Sequence, residues 1–222
     1  MSSNGRAHRS SSENERVPVP HILTEGRLAP SPEVAGLRKG IVLMGMKHCG
    51  KSTLGRALAE TRGVPFADLD ELTEREFDPA RSLSCREIVK AHGEKLFRSL
   101  EERAAERLSR MIAESGSEAV GLVAALGGGT VESARAMDAL AKVALLVYLE
   151  ESPEVLWERV AAHGVPSYLD PADPHGGFLA VFARRAPLFR ERAHVVVHLM
   201  GMEVEKAFTE LVHVLAEAGY AW

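Results

Sequence analysis

With 222 residues, 45% of them apolar or aromatic, the chain is long enough to bury one full core. A formal net charge of −4, with arginines interspersed among glutamates, excludes the general attraction to phosphate backbones that nucleic-acid binding relies on. Two distant cysteines without zinc spacing, Cys49 and Cys85, argue against a disulfide framework; no segment approaches the ~18 consecutive apolar residues of a membrane helix, and the N-terminus lacks the apolar core of a secretory signal, so a cytoplasmic protein acting on small ligands is expected.

Met1 to about Lys39 is rich in Ser, Pro and mixed charge without a sustained apolar period, which predicts a flexible extension; Glu13, Glu15 and Glu25 argue against a transit peptide. The compact domain, residues 40–222, is expected to begin at Gly40. Ile41 to Met44 form a short apolar strand, Gly45, Gly50, Lys51 and Ser52 fit the GxxxxGK[ST] phosphate-loop pattern, and Leu54, Ala57 and Leu58 give the following helix an apolar face. In such a loop the glycines turn backbone N–H groups toward phosphate oxygens and the helix N-terminus adds its positive end. Lys51 reaches the outer phosphates and the Ser52 hydroxyl ligates magnesium. ATP or GTP with Mg²⁺ is the expected ligand, and Gly45, His48, Cys49, Gly50, Lys51, Ser52 and Thr53 are the candidate nucleotide contacts. His48 and Cys49 have no further Cys or His nearby at ligand spacing and read as loop side chains, not metal ligands.

Gly63 stops the first helix. Pro65 to Asp70 then reads as a short strand whose i, i+2 carboxylates, Asp68 and Asp70, share a face at the ligand crevice; because ELTEREF follows at once, both also suit helix capping. Ser84 to His92 forms a short helix, Gly93 interrupts, and Glu94 to Glu114 forms a longer one with Phe97, Leu100, Ala104, Leu108, Met111 and Ile112 on one face. Arg98 beside that face either pairs with Glu101 and Glu102 at the surface, the better local reading, or faces an anionic substrate. Ala119 to Leu126 reads as a strand buried on both faces, ending in Gly127, Gly128, Gly129 and Thr130, a loop open to close approach by a ligand.

A helix over Met137 to Lys142 precedes a buried strand, Val143 to Leu149, and Ser152 to Ala162 is helical with Pro153 in its first turn. The Pro-, Gly- and Asp-rich segment His163 to Phe178 predicts an irregular loop, either a mobile lid or a passive surface turn. Ala180 to Ala193 is expected to be helical, its start aiming Arg184 and Arg185 toward the crevice. His194 to Leu199 forms the last strand, and Glu203 to Ala218 an amphipathic helix with Val204, Phe208, Leu211 and Leu215 buried and Gly219 as its stop. Strands alternating with helices give an α/β fold, a doubly wound five-stranded parallel sheet with one crevice at the strand carboxyl ends, a size and architecture suited to a small-molecule kinase.

Taken in order, the phosphate loop, DLD, LFRSLEE, LGGGT and RRAPLF resemble the shikimate kinases of the nucleoside-monophosphate-kinase-like group, over about Gly40 to Ala218. The resemblance implies strand order 2-3-1-4-5, a lid closing over ATP, and transfer of the γ-phosphoryl group to the 3-hydroxyl of shikimate; a monomer is expected. It implies Lys51 and Ser52 on the phosphates and magnesium, Asp68 near the metal, Asp70 on substrate hydroxyls as the group that accepts or orients the reacting proton, and Arg98 and Arg185 on the shikimate carboxylate. Gly128 and Gly129 would supply backbone contacts, and Arg159 would stack near adenine.

Two departures from the family pattern stand out. His48 replaces a glycine of the loop, and the segment from His163 to Phe178 contains no Arg or Lys, with Val165 standing before Pro166 where the family's lid carries an arginine that touches the transferred phosphate. Lys47 or Arg184 is expected to supply the missing charge. The alternatives are a related kinase of another hydroxylated acid, such as gluconate, and a nucleotide-binding homologue without turnover.

Overall fold

The structure, a computed structural model, describes residue 1 and residues 38–115, 120–166 and 169–220. The expected N-terminal extension therefore lies almost entirely outside the described residues. Five parallel strands form one sheet in the order β2-β3-β1-β4-β5, in agreement with the expected fold: β1 Gly40–Met44, β2 Phe66–Asp68, β3 Leu122–Ala125, β4 Ala144–Glu150 and β5 Val195–His198. Every residue of β1 and β3 is buried, as their unbroken apolar runs require in a sheet covered on both faces. Register sets the site. Leu43 and Asp68 both align with Ala125, so the loop after β1, the carboxyl end of β2 and the glycines after β3 emerge side by side on one edge of the sheet.

Eight helices are described: α1 Lys51–Arg62, α2 Leu69–Phe77, α3 Cys85–His92, α4 Glu94–Glu114, α5 Ala134–Ala141, α6 Pro153–His163, α7 Pro174–Arg192 and α8 Val204–Glu217. The main core joins both faces of the sheet to α1, α4, α5 and α8, while Ile88, Phe97 and Leu100 form a smaller cluster with Phe77, Leu83 and Val89 that ties α2, α3 and α4 into one wall of the crevice. That wall is fixed by local chemistry: the Ser84 hydroxyl accepts from Glu87 N while Glu87 accepts from Ser84 N at 2.8 Å, a reciprocal cap at the start of α3. Replacing Ser84 by Ala is expected to lower stability by about 1 kcal/mol in urea unfolding, with no change in nucleotide affinity.

Five expectations are corrected. Strand β2 ends at Asp68, so Asp70 does not share a strand face with it. Asp68 instead caps α2 by accepting from Asp70 N at 3.0 Å, and Asp70 stands in the first helical turn. Of the expected irregular segment His163 to Phe178, the described residues that lie outside helices are 164–166 and 169–173. Helix α6 keeps His163, and α7 starts at Pro174 because Asp173 caps Gly176 N and the rings of His175 and Phe178 pack on Trp157 at 4.9 and 5.6 Å. Capping and packing thus overcome the helix-weakening effect of Gly176 and Gly177. Arg184 and Arg185 consequently lie inside α7, not at its start. Finally, α5 begins at Ala134, three residues early, capped by Ser133, and the strand expected from Ala119 is β3 from Leu122, residue 119 lying outside the described residues.

Candidate active site

The phosphate loop joins β1 to α1. Gly45 adopts φ 151°, and a Cβ there would sit 2.7 Å from the Leu149 carbonyl oxygen and 2.8 Å from Cys49 Sγ, so the position admits only glycine. Gly50 (φ 97°) opens α1, whose first turn carries neither an acidic residue nor a side-chain cap, leaving its N–H groups available to an anion. The Lys51 ammonium is buried and folds back along the loop, donating to the Met46 carbonyl at 2.8 Å with Cys49 Sγ at 3.8 Å. Cys49 lies beneath the loop and Thr53 faces outward on α1.

His48 takes the left-handed conformation that glycine would adopt freely, φ 64°, at a cost of about 1 kcal/mol. Two contacts hold it there. Its ring stacks on His163 at the end of α6, centroids 5.1 Å apart, and its carbonyl accepts from Arg159 Nη1 at 3.2 Å. Burial first, then the charges of Lys47, His163, Lys51 and Arg159, push its pKa below the ordinary histidine value and keep the imidazole neutral.

Asp68 faces the loop directly: Ser52 Oγ donates to its Oδ2 at 2.8 Å. Asp70 opens toward solvent, yet its carboxylate sits at the base of the crevice, where a Cβ on Gly127 would lie 2.7 Å from Oδ1 and 3.1 Å from Glu101 Oε1. Desolvation, then the neighbouring Asp68, raises the Asp70 pKa to about 6, with Lys51 pulling the other way. Gly128 faces the phosphate loop, a Cβ on it falling 3.3 Å from Lys47 N, and Gly129 faces Arg98, whose Nη1 would be 2.6 Å away. All three glycines are therefore close approaches, one each to the acidic group, the phosphate loop and a guanidinium.

Arg98 makes one of the two pairs that local sequence favours, the one with Glu101, but that glutamate is buried and not at the surface. Its Nη1 donates to Glu101 Oε2 at 2.7 Å and its Nη2 to Glu94 at 3.2 Å, while Glu102 instead accepts from Ser133. Glu101 is only 2% exposed and also accepts from buried Thr130 at 2.7 Å, so it fixes both Arg98 and the glycine loop. Arg185 is buried and donates through Nε and Nη2 to Glu132 Oε2 at 2.9 and 2.7 Å, and Arg184 Nε reaches the other carboxylate oxygen at 2.7 Å. Partial burial pushes Glu132 up, but Arg185 and then Arg184 outweigh it and hold the carboxyl below the usual range.

Arg159 also approaches Glu151 Oε2 at 3.6 Å and lines a cleft of about 340 Å³ with Cys49, Gly50, Thr53, Leu54, Leu199, Gly201 and Met202. This cleft continues from the phosphate loop and suits a nucleotide base. Sequence reasoning missed its far wall, Leu199 to Glu203, and the buried Glu151 that shapes it by accepting from Gly201 N at 3.0 Å. Glycine at 201 (φ 70°) and the run LMGM were the available signal. Glu101 and Glu132 were also missed as organisers, since nothing local marks a glutamate as buried.

The chain matches the family model described as shikimate kinase over residues 47–216. A shikimate kinase of Symbiobacterium thermophilum is 33% identical over 181 residues, covering 81% of this chain and 97% of the relative. One from Ruegeria pomeroyi is 31% identical over 182 residues, covering 82% and 87%. Among solved structures, the shikimate kinase from Acinetobacter baumannii in complex with shikimate superposes with a TM-score of 0.65 at 26% identity, over 83% of this chain and 97% of that one. The shikimate kinase from Aquifex aeolicus gives 0.65 at 25% identity, over 82% and 99%.

Proposed function

The chain belongs to the shikimate kinase family, and from that premise we propose that it transfers the γ-phosphoryl group of ATP to the 3-hydroxyl of shikimate, giving shikimate 3-phosphate and ADP. It is a kinase, and its acceptor is a small molecule. We further propose that residues 40–222 form the kinase domain, that residues 163–178 act as its lid, and that it works as a cytoplasmic monomer without a nucleic-acid or membrane partner. Among the described residues no helix is long and apolar enough to cross a membrane.

The observation that carries the reading is the glycine loop. A side chain on Gly127, Gly128 or Gly129 would meet in turn Asp70, the phosphate loop and Arg98, so a ring held by carboxylate and hydroxyl contacts would lie directly beside the phosphates. Arg98 and Arg185 are the carboxylate grips. Each is oriented by a protein carboxylate, and Arg185 makes its bonds to Glu132 through Nε and Nη2, leaving Nη1 for a ligand. Asp70, with a pKa near 6, is ionised at neutral pH and able to accept the hydroxyl proton. Lys51 would exchange the Met46 carbonyl for a phosphate oxygen, and Arg159 would flank the base in its cleft. The chemistry asks for placement and neutralised charge, which these groups supply.

Magnesium fits the same place. Ser52 Oγ and the Asp68 carboxylate, already joined beside the loop, are the hard oxygen donors this ion takes, and they are the residues that would hold it. When bound, the ion neutralises charge on the phosphates.

ADP release from Mg·ATP, measured with and without shikimate, tests the reading. ADP is expected only when shikimate is present. A protein that binds ATP but releases no ADP above background with shikimate would refute it. The stretch from His163 to Phe178, without Arg or Lys, favours that second reading, a nucleotide-binding homologue lacking turnover, and the same assay separates the two.

A further inference from the structure

A phosphoryl group in transfer spreads negative charge over three oxygens, and a cation placed between donor and acceptor stabilises it. The segment proposed as the lid offers none, since residues 163–178 hold neither Arg nor Lys. The described cations around the crevice are mostly committed. Arg98 and Arg185 are bound to Glu101 and Glu132, and Arg159 to the His48 carbonyl and near Glu151. Arg184 is on the exposed side of α7 with its Nε on Glu132. Lys51 lies along the phosphate loop itself.

Lys47 differs from all of these. Its backbone N stands 3.3 Å from where a Gly128 Cβ would be, at the point where the nucleotide loop meets the acceptor loop. Its side chain is exposed, and no hydrogen bond or ion pair engages it among the described residues. The next residue, His48, is held in its turn by the His163 stack and by Arg159, which fixes the direction in which the chain leaves Lys47. Lys47, Lys51 and Arg159 all act electrostatically on the His48 ring, so their charges converge on this loop.

We propose that Lys47 is a further catalytic residue, its ammonium donating to the transferring phosphoryl group between the phosphate loop and Gly128. The inference rests on the function proposed above. In the step, the acceptor oxygen bonds to the γ-phosphorus as the bond from that phosphorus to the β,γ-bridging oxygen breaks. The electron pair leaves on ADP, and the hydroxyl proton passes to Asp70. Lys47 forms no covalent bond and keeps its protons.

The test compares the full-length protein with Lys47→Met, Lys47→Arg and Arg184→Gln. Lys47→Met is expected to lower kcat for shikimate-dependent ADP release about a hundredfold. Its ATP affinity by calorimetry is expected to stay within about threefold, because the loop amides and Lys51 still hold the phosphates. Lys47→Arg, which restores the charge with a bulkier head, is expected to recover kcat to within about tenfold of the parent. The affinity for ADP with magnesium, aluminium fluoride and shikimate, a mimic of the phosphoryl group in flight, should fall in Lys47→Met in step with kcat. Arg184→Gln, which removes one of the bonds that hold Glu132 against Arg185, should raise KM for shikimate while lowering kcat far less than Lys47→Met does. An active parent whose Lys47→Met variant keeps full kcat and full affinity for the mimic overturns the inference while leaving the function intact, and loss confined to Arg184→Gln does the same. A parent that releases no ADP with shikimate refutes the underlying function instead, and this inference with it.

Discussion

Lys51→Ala is expected to reduce shikimate-dependent ADP release by at least about a thousandfold, the largest single loss at this site. The ammonium is buried against the phosphate loop and donates to Met46 O at 2.8 Å, so it is already positioned where the outer phosphates arrive. Truncation removes a charge that no neighbour can replace at that spot, since Arg159 is turned to the His48 carbonyl and Lys47 lies at the junction with the glycine loop. The fold should survive. The bonds lost inside the protein are the carbonyl contact, worth about 1 kcal/mol, and a long contact to Cys49 Sγ, and urea unfolding should show a change of that order. Lys51→Arg is expected to be nearly as inactive, because a planar guanidinium cannot take the place of the compact ammonium between the Met46 carbonyl and Cys49 Sγ. An Ala variant with more than a tenth of the parent rate would show that Lys51 does not carry the phosphate charge.

Asp70→Asn is expected to lower kcat about a thousandfold, within the span found for lost general acid–base groups. It should also remove the acid limb of the pH profile. With the Asp70 pKa raised to about 6, kcat/KM of the parent should fall tenfold per pH unit below about 6, whereas the Asn variant should show a flat residual rate. The sign for stability is opposite. A carboxyl whose folded pKa lies above its unfolded value binds its proton more tightly in the fold. Stability is therefore lost as pH rises from near 4 through about 6, and the penalty is fully present at neutral pH. Asp70→Asn removes that penalty, so the variant should melt at a higher temperature than the parent at pH 7.5, with the difference vanishing below about pH 4. A variant that loses activity and stability together would mean that the residue is structural.

These two residues were legible in the sequence for different reasons. Lys51 is fixed by a motif whose parts are adjacent, a strand, a glycine-bounded turn and a helix start, so the eight residues from Gly45 to Ser52 and the strand before them carry nearly all the needed geometry. Asp70 was singled out from alternation on a strand that in fact ends two residues earlier. It reaches the crevice because Asp68 caps α2, and local capping chemistry competed successfully with the short β2 ladder. Arg98 and Arg185 were marked locally as candidates, but their role as carboxylate grips came only from the resemblance to a family. On α4 the nearby glutamates made Arg98 look like a surface pair, and no local feature shows that Glu101 is withdrawn from solvent or that it bonds to Thr130.

The sequence by itself determined the alternation of strand and helix, most of the element boundaries, the phosphate loop and the three close-approach glycines. Each is written in short-range terms: apolar runs with a strand or helix period, caps, and glycines where a side chain cannot fit. The tertiary structure alone decided the partners of the buried charges. Arg159 meets a carbonyl 111 residues away, Arg185 meets Glu132 53 residues away, and Ser52 meets Asp68 across the sheet edge. It also decided that His48 would be a neutral ring stacked on His163 and that α7 would begin six residues before its expected start. The physical reason is range. A buried polar group must find a partner wherever the packed elements bring one, and that distance in space is set by sheet register and helix packing, which no local stretch of residues records.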